Sequence, residues 1–173
     1  MQKVKQGFPI LIAALIVSMS GQAKSTEIDL SGRVVASPCT VDTGTQNQTV
    51  TFRQARAIDY QEVGDTSEWQ DFSLTLSRCP VSTTRVVATF IGDADLIDTS
   101  KFANSQGDAQ GIALQLMTRD HNTEIAPSDE QSVNVDNATR NAIFLLSARM
   151  YTPTGQVTAG EFNTVVQVNF TYQ

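Results

Sequence analysis

Among its 173 residues the chain has one histidine, one tryptophan and two cysteines, and these few side chains bound the chemistry open to it. A Ser–His–Asp relay would have to use His121, since the general base in that scheme is an imidazole. His121 lies in Arg119-Asp120-His121-Asn122, which reads as a hairpin tip, and an exposed turn residue is the simpler reading. Asp93-Ala94-Asp95 and Asp129-Glu130 offer paired carboxylates or a calcium site, but neither has the spacing or the glycine of a calcium loop. Solvated loop acids account for them. No Gly-rich phosphate loop, CxxC or HExxH occurs. Asn47-Gln48-Thr49 and Asn137-Ala138-Thr139 match a glycosylation sequon, a signal of low specificity. Cys39 and Cys79 could be a structural disulfide or two free thiols, one of them reactive. No neighbouring histidine or basic cluster would lower a thiol pKa. The residues therefore point away from an enzyme, a metal site, a cofactor and a small-molecule substrate.

Composition narrows the class further. A share of 40% hydrophobic residues can build a core, and 18.8 kDa allows one ordinary domain. The formal charge is −6 and the pI about 4.6, with no Lys/Arg cluster, a poor basis for binding nucleic acid or an anionic membrane. Met1 to Ala23 reads as a secretory signal: Lys3 and Lys5 precede an apolar run from Phe8 to Val17, and Gly21-Gln22-Ala23 places small residues before Lys24. The run is too short for a bilayer span of about 20 apolar residues. Removing it takes away two lysines and no acid, leaving a mature chain from Lys24 to Gln173 that is still more acidic. Export into an oxidising compartment favours pairing Cys39 with Cys79.

The elements that would position these residues alternate in twos. Phe72, Leu74 and Leu76 interleave with Ser73, Thr75 and Ser77, the period of a half-buried strand. Val86 to Ile91 is a β-branched run that stops at Gly92-Asp93, and Ile112, Leu114 and Leu116 share a face before the Arg119–Asn122 turn. Ala142 to Met150 is ambiguous between strand and helix; its Asn/Thr-rich flanks and the closing Pro153 and Gly155 favour strand. Val166, Val168, Phe170 and Tyr172 alternate almost to the C-terminus, and Thr26, Ile28 and Leu30 do so at the mature N-terminus. Short strands between turn clusters predict an all-β sandwich in one domain, without repeats or linkers. An apolar strand at each end of the chain is an aggregation hazard unless a partner strand covers it.

With these features the chain resembles the chaperone–usher pilins, especially the minor tip-adaptor subunits of type 1 fimbriae. The resemblance rests on Gly32-Arg33-Val34-Val35-Ala36-Ser37-Pro38-Cys39-Thr40-Val41, on Ser67-Glu68-Trp69-Gln70-Asp71-Phe72, and on Leu74, Leu76 and Arg78-Cys79-Pro80-Val81. Arg85 to Phe90, Gly92 and the closing Phe170-Thr171-Tyr172-Gln173 with its penultimate tyrosine complete it. Nearly the whole mature chain is covered, and Asn47 to Gly64 matches least. In this pattern Trp69 begins a strand, which favours packing over sugar stacking.

The resemblance implies an incomplete immunoglobulin-like sandwich that lacks its last strand, with residues 24–35 as an N-terminal donor extension and 36–173 as the pilin domain. A periplasmic pilus chaperone lends a strand during export, and at the outer-membrane usher the extension of a neighbouring pilin or adhesin subunit replaces it. The donor face would be Thr26, Ile28, Leu30, Gly32 and Val34. Gly32 falls where a side chain would clash with the acceptor, and Thr26 is more polar than the residue usual there. Val166, Val168, Phe170 and Tyr172 would line the groove that chaperone and donor enter. The expected place is the fimbrium, reached through the periplasm, and the expected role is structural, in support of adhesion. The alternative is an independent secreted or periplasmic β-sandwich that binds a carbohydrate or receptor. Cys39 follows the cleavage point too closely for a receptor-binding domain ahead of the pilin domain.

Overall fold

A computed structural model describes residues 29–32 and 34–173. The signal peptide and the donor positions Thr26 and Ile28 lie outside them. Residues 34–173 form one unit.

Among the described residues there are eight strands: β1 (Thr40–Val41), β2 (Gln70–Ser77), β3 (Arg85–Ile91), β4 (Phe102–Ala103), β5 (Ala113–Thr118), β6 (Glu130–Asn134), β7 (Ala142–Tyr151) and β8 (Gln167–Tyr172). The ambiguous run from Ala142 is thus a strand, and at ten residues the longest. Ile112, read with the next strand, is buried just ahead of β5. One helical turn, α1 (Thr43–Gln46), precedes the least-matching segment, Asn47 to Gly64, and a 3₁₀ turn at Ala57–Asp59 lies within it.

The strands form two antiparallel sheets, one ordered β1-β2-β7-β5-β4 and the other β6-β3-β8. Period-two alternation turns one face of each inward. From the larger sheet come Leu74, Leu76, Phe144, Leu146, Leu114, Leu116 and Phe102; from the smaller, Val86, Ala88 and Phe90, with the half-buried Val168, Phe170 and Tyr172 packed against them. Phe144 and Phe170 meet across the sandwich, ring centroids 5.9 Å apart.

Cys39 and Cys79 are joined in a disulfide across 40 residues. Both are buried at the end of the sandwich where β2 stops and β3 begins, here called the arm pole. Arg140 braces the same pole. Its guanidinium donates to the carbonyls of Cys79 (3.0 Å), Thr83 (3.2 Å) and Pro80. The fully buried Thr83 donates its hydroxyl to the Ser37 carbonyl at 2.6 Å, pinning the chain just before the first cysteine.

At the opposite, far pole, the loop from Asp93 to Lys101 is held from within. Asp95 Oδ1 accepts from the amides of Ile97 and Asp98, and Asp98 Oδ1 accepts from the amide and hydroxyl of Ser100. Lys101, 5% exposed, places its ammonium 3.1 Å from Asp98 and 2.8 Å from Glu124, with Tyr151 beneath it. Burial pulls the Lys101 pKa down, but Glu124 and Asp98 together carry it above its ordinary 10.5. Asp98 is held below 3.8, chiefly by the Ser100 hydroxyl and also by Lys101, against a smaller opposing effect of burial.

Two changes test these supports. Replacing both cysteines by serine should cost roughly 4 kcal/mol, the chain-entropy value for a loop of this size, seen as a lower urea midpoint. A midpoint unchanged within error would show that the disulfide constrains little. Lys101→Met should destabilise by about 1–3 kcal/mol, because Asp98 and Glu124 lose a charged partner. The linkage has a definite sign: Asp98's contribution is present above its unfolded pKa and fades as pH falls through the lowered folded value. Lys101's contribution persists to its ordinary 10.5 and is lost as pH rises through the raised value. The wild-type advantage should therefore be flat across neutral pH and shrink at both extremes. A pH-independent difference would exclude the ion pairs as its source.

Candidate functional site: an open groove beside the last strand

Strand β8 has one neighbour. It pairs with β3 from Ile91↔Gln167 to Val86↔Tyr172, and among the described residues no strand pairs with its other side. Gln167, Asn169 and Thr171 are exposed, whereas Val168, Phe170 and Tyr172 turn into the sandwich and stay only half-buried. Val166 continues that face one residue ahead of the ladder. Burial raises the Tyr172 phenol above its ordinary pKa.

Beside β8 the two sheets do not close. A groove of about 870 Å³ runs between them, with Leu74, Leu114, Leu116 and Ala148 of the larger sheet and Phe90 of the smaller on its walls. Val166, Val168 and Phe170 form the β8 margin; Thr45 to Val50 and Phe52 form the opposite one. A second cavity of about 570 Å³, lined by Tyr60, Ile112, Met150 and Val157, shares Val50, Phe52 and Phe162 with the first. Phe52 and Phe162 meet edge to face at the junction, 5.8 Å apart. Such a channel is open along its length and apolar in its walls, with an unpaired strand edge on one side. An extended peptide can supply both missing parts: backbone groups for the edge and alternate side chains for the walls.

The four groove residues named from sequence alternation thus lie on one face; three of them line the first cavity, and Tyr172 continues their face at the arm pole. Of the five donor positions, Leu30, Gly32 and Val34 are described. Leu30 is 90% and Val34 98% exposed, and a Cβ on Gly32 would meet nothing within 4 Å. The opposite margin, Thr45 to Phe52, was missed in the sequence because it forms no regular strand and carries no period.

The residues considered for chemistry are placed otherwise. His121 sits in a turn with φ at +56°, its ring stacked 4.2 Å from Trp69. The Arg149 guanidinium covers the indole at 4.1 Å. Burial draws the Arg149 pKa down, against the opposing charges of Glu124 and Tyr151. Trp69 is therefore packed between two side chains. Asp95 and Asp129 each accept backbone amides of their own loops.

Comparison with known proteins agrees with this architecture. The fimbrial protein family model matches residues 28–173. Protein FimG of Escherichia coli K12 is 34% identical over 99% of both chains. The P pilus rod subunit PapA superposes with a TM-score of 0.65 at 18% identity, over 79% of this chain and all of that one. A chaperone–usher pilus structure that concerns rod uncoiling gives 0.64, also at 18%, over 91% of this chain and all of its own. With a sandwich open beside its last strand and a family match over residues 28–173, the chain belongs to the fimbrial protein family.

Proposed function

We propose that this subunit is linked into the fibre at both ends by strand addition. Its groove takes a strand first from a periplasmic chaperone and then, at an outer-membrane usher, from the extension of a neighbouring pilin or adhesin. Its own residues 24–35, freed by removal of 1–23, fill the groove of another subunit. No catalytic step is involved. The observation that carries this reading is the unpaired inner edge of β8 above a groove whose walls are otherwise core residues. Leu30 and Val34 add support: two large apolar side chains stand exposed on either side of Gly32, and among the described residues nothing lies close enough to Gly32 to require glycine. Fully burying Ile28, Leu30 and Val34 in a partner would contribute about 5–9 kcal/mol at 1.5–3 each, before the cost of ordering the arm.

The direction of the incoming strand follows from crowding. This chain's own arm leaves at the arm pole, where Ser37 is pinned to Thr83. A donor parallel to β8 would end at that same pole and bring its own domain against the departing arm. An antiparallel donor ends beside Val166, at the far pole, and leaves the exit clear. It also continues the all-antiparallel pattern of the sheet.

Phe170→Ala and Tyr172→Ala remove groove-facing rings, a change that costs about 3–5 kcal/mol in a packed site. Both variants should be lost from the periplasm by degradation and should not co-purify with the chaperone; undiminished co-purification of both would refute the chaperone-groove assignment. Deleting residues 24–31 should leave chaperone capture intact but stop fibre growth beyond this subunit. Gly32→Leu should do nearly the same by steric clash alone. Normal assembly of either arm variant would mean that the link lies elsewhere.

A further inference from the structure

The far pole carries exposed apolar side chains. Leu96 is 95% exposed, Ile97 68% and Val165 62%. Leu96 and Ile97 stand on the loop that Asp95, Asp98 and Lys101 hold from within. The loop's root adjoins the groove's end: a Cβ on Gly92 would lie 2.8 Å from the Phe102 ring and 3.3 Å from the Val165 carbonyl, and Val165 itself lines the groove. Two acids stand on the same pole, Asp93 and Asp129, both exposed and neither ion-paired among the described residues.

The arm pole is the complement. Val81 is 88% exposed there, between Arg78 and Arg85, which are exposed and have no ion-pair partner among the described residues. Of the acids close by, Asp136 is occupied by the Ala138 amide and by the amide and hydroxyl of Thr139, and Asp42 accepts the Ser77 hydroxyl. Each subunit thus presents an apolar, acidic far pole and an apolar, basic arm pole.

Arm length brings the two together. The last donor position, Val34, is three residues from the pinned Ser37, a reach of about 10–11 Å when fully extended. A donor whose Val34 position lies at the far end of a groove therefore cannot hold its domain away from that pole.

We propose that the Leu96–Ile97 loop, with Asp93 and Asp129, is a docking surface for the domain of the pilin whose arm fills this groove, received through an apolar residue flanked by arginines as at Val81. This rests on the antiparallel donor-strand reading above. The contact is heterologous, arm pole on far pole, so it repeats along a fibre without closing. It also gives the joint between successive domains a preferred angle that an arm alone would not impose.

The test is photocross-linking in assembled fibres, with a benzophenone side chain placed at position 96 in one strain and at position 168 in another. After irradiation the subunits are separated by denaturation and the linked peptides mapped by mass spectrometry. Position 168 should link to the N-terminal arm of a pilin, and position 96 to the domain of that same pilin, beyond its arm. Adding Ile97→Asp should lower the position-96 yield several-fold and leave position 168 unchanged. If position 168 links to an arm while position 96 links to no pilin domain, or to the domain of a different subunit, the docking surface is wrong and the groove reading stands. If position 168 links to no arm, the groove reading fails and the docking surface with it.

Discussion

One unpaired strand edge governs this molecule. β8 supplies Val168, Phe170 and Tyr172 to the core and pairs with β3 along its length, yet its other side has no partner among the described residues. In a closed sandwich those side chains would be covered on all sides. Here they are half-buried, along the margin of a groove that Leu74, Leu116 and Phe90 line from the core. A void between sheets forfeits dispersion contacts as well as hydrophobic burial. The missing stabilisation is of the kind a strand from outside can restore, so under the proposed function completion of the fold and association with a neighbour become one event.

The remaining supports hold the frame while that side stays open. The Cys39–Cys79 disulfide, the Arg140 guanidinium on three carbonyls and the buried Thr83 hydroxyl all act at the arm pole. The Lys101 ion pairs act at the other end. None of them depends on the groove being filled. This division suits the proposed exchange of one strand for another, in which the domain has to keep its register throughout.

Much of this was legible in the sequence, and for identifiable reasons. A strand with one buried face writes its period into the chain, as Phe72-Leu74-Leu76 and Val168-Phe170-Tyr172 do. Ala142–Tyr151 was less clear because Ile143 and Leu145 on its outer face are apolar too, 44% and 49% exposed, which blurs the alternation. The groove's second margin, Thr45 to Phe52, left no trace: its residues are set by contact with the cavity and by one helical turn, not by a repeating ladder. Pairings such as Arg149 with Trp69 and Lys101 with Glu124 join residues far apart in sequence, and only the fold brings them into contact.

The same edge that permits assembly is a liability, since an exposed apolar strand recruits any compatible chain. Two features of the molecule narrow that choice. The groove is bounded on both sides by Phe52, Phe162 and the β8 face, so an entering strand must fit walls of fixed shape and not merely add to a flat edge. The chain carries a formal net charge of −6, which disfavours indiscriminate contact between copies. Against that background the arginines at one pole and the exposed carboxylates of Asp93 and Asp129 at the other give attraction a direction. Head-to-tail approach brings opposite charges together, whereas head-to-head or tail-to-tail approach brings like charges together. In the proposed fibre the groove supplies the strength of the link, and the poles supply its polarity.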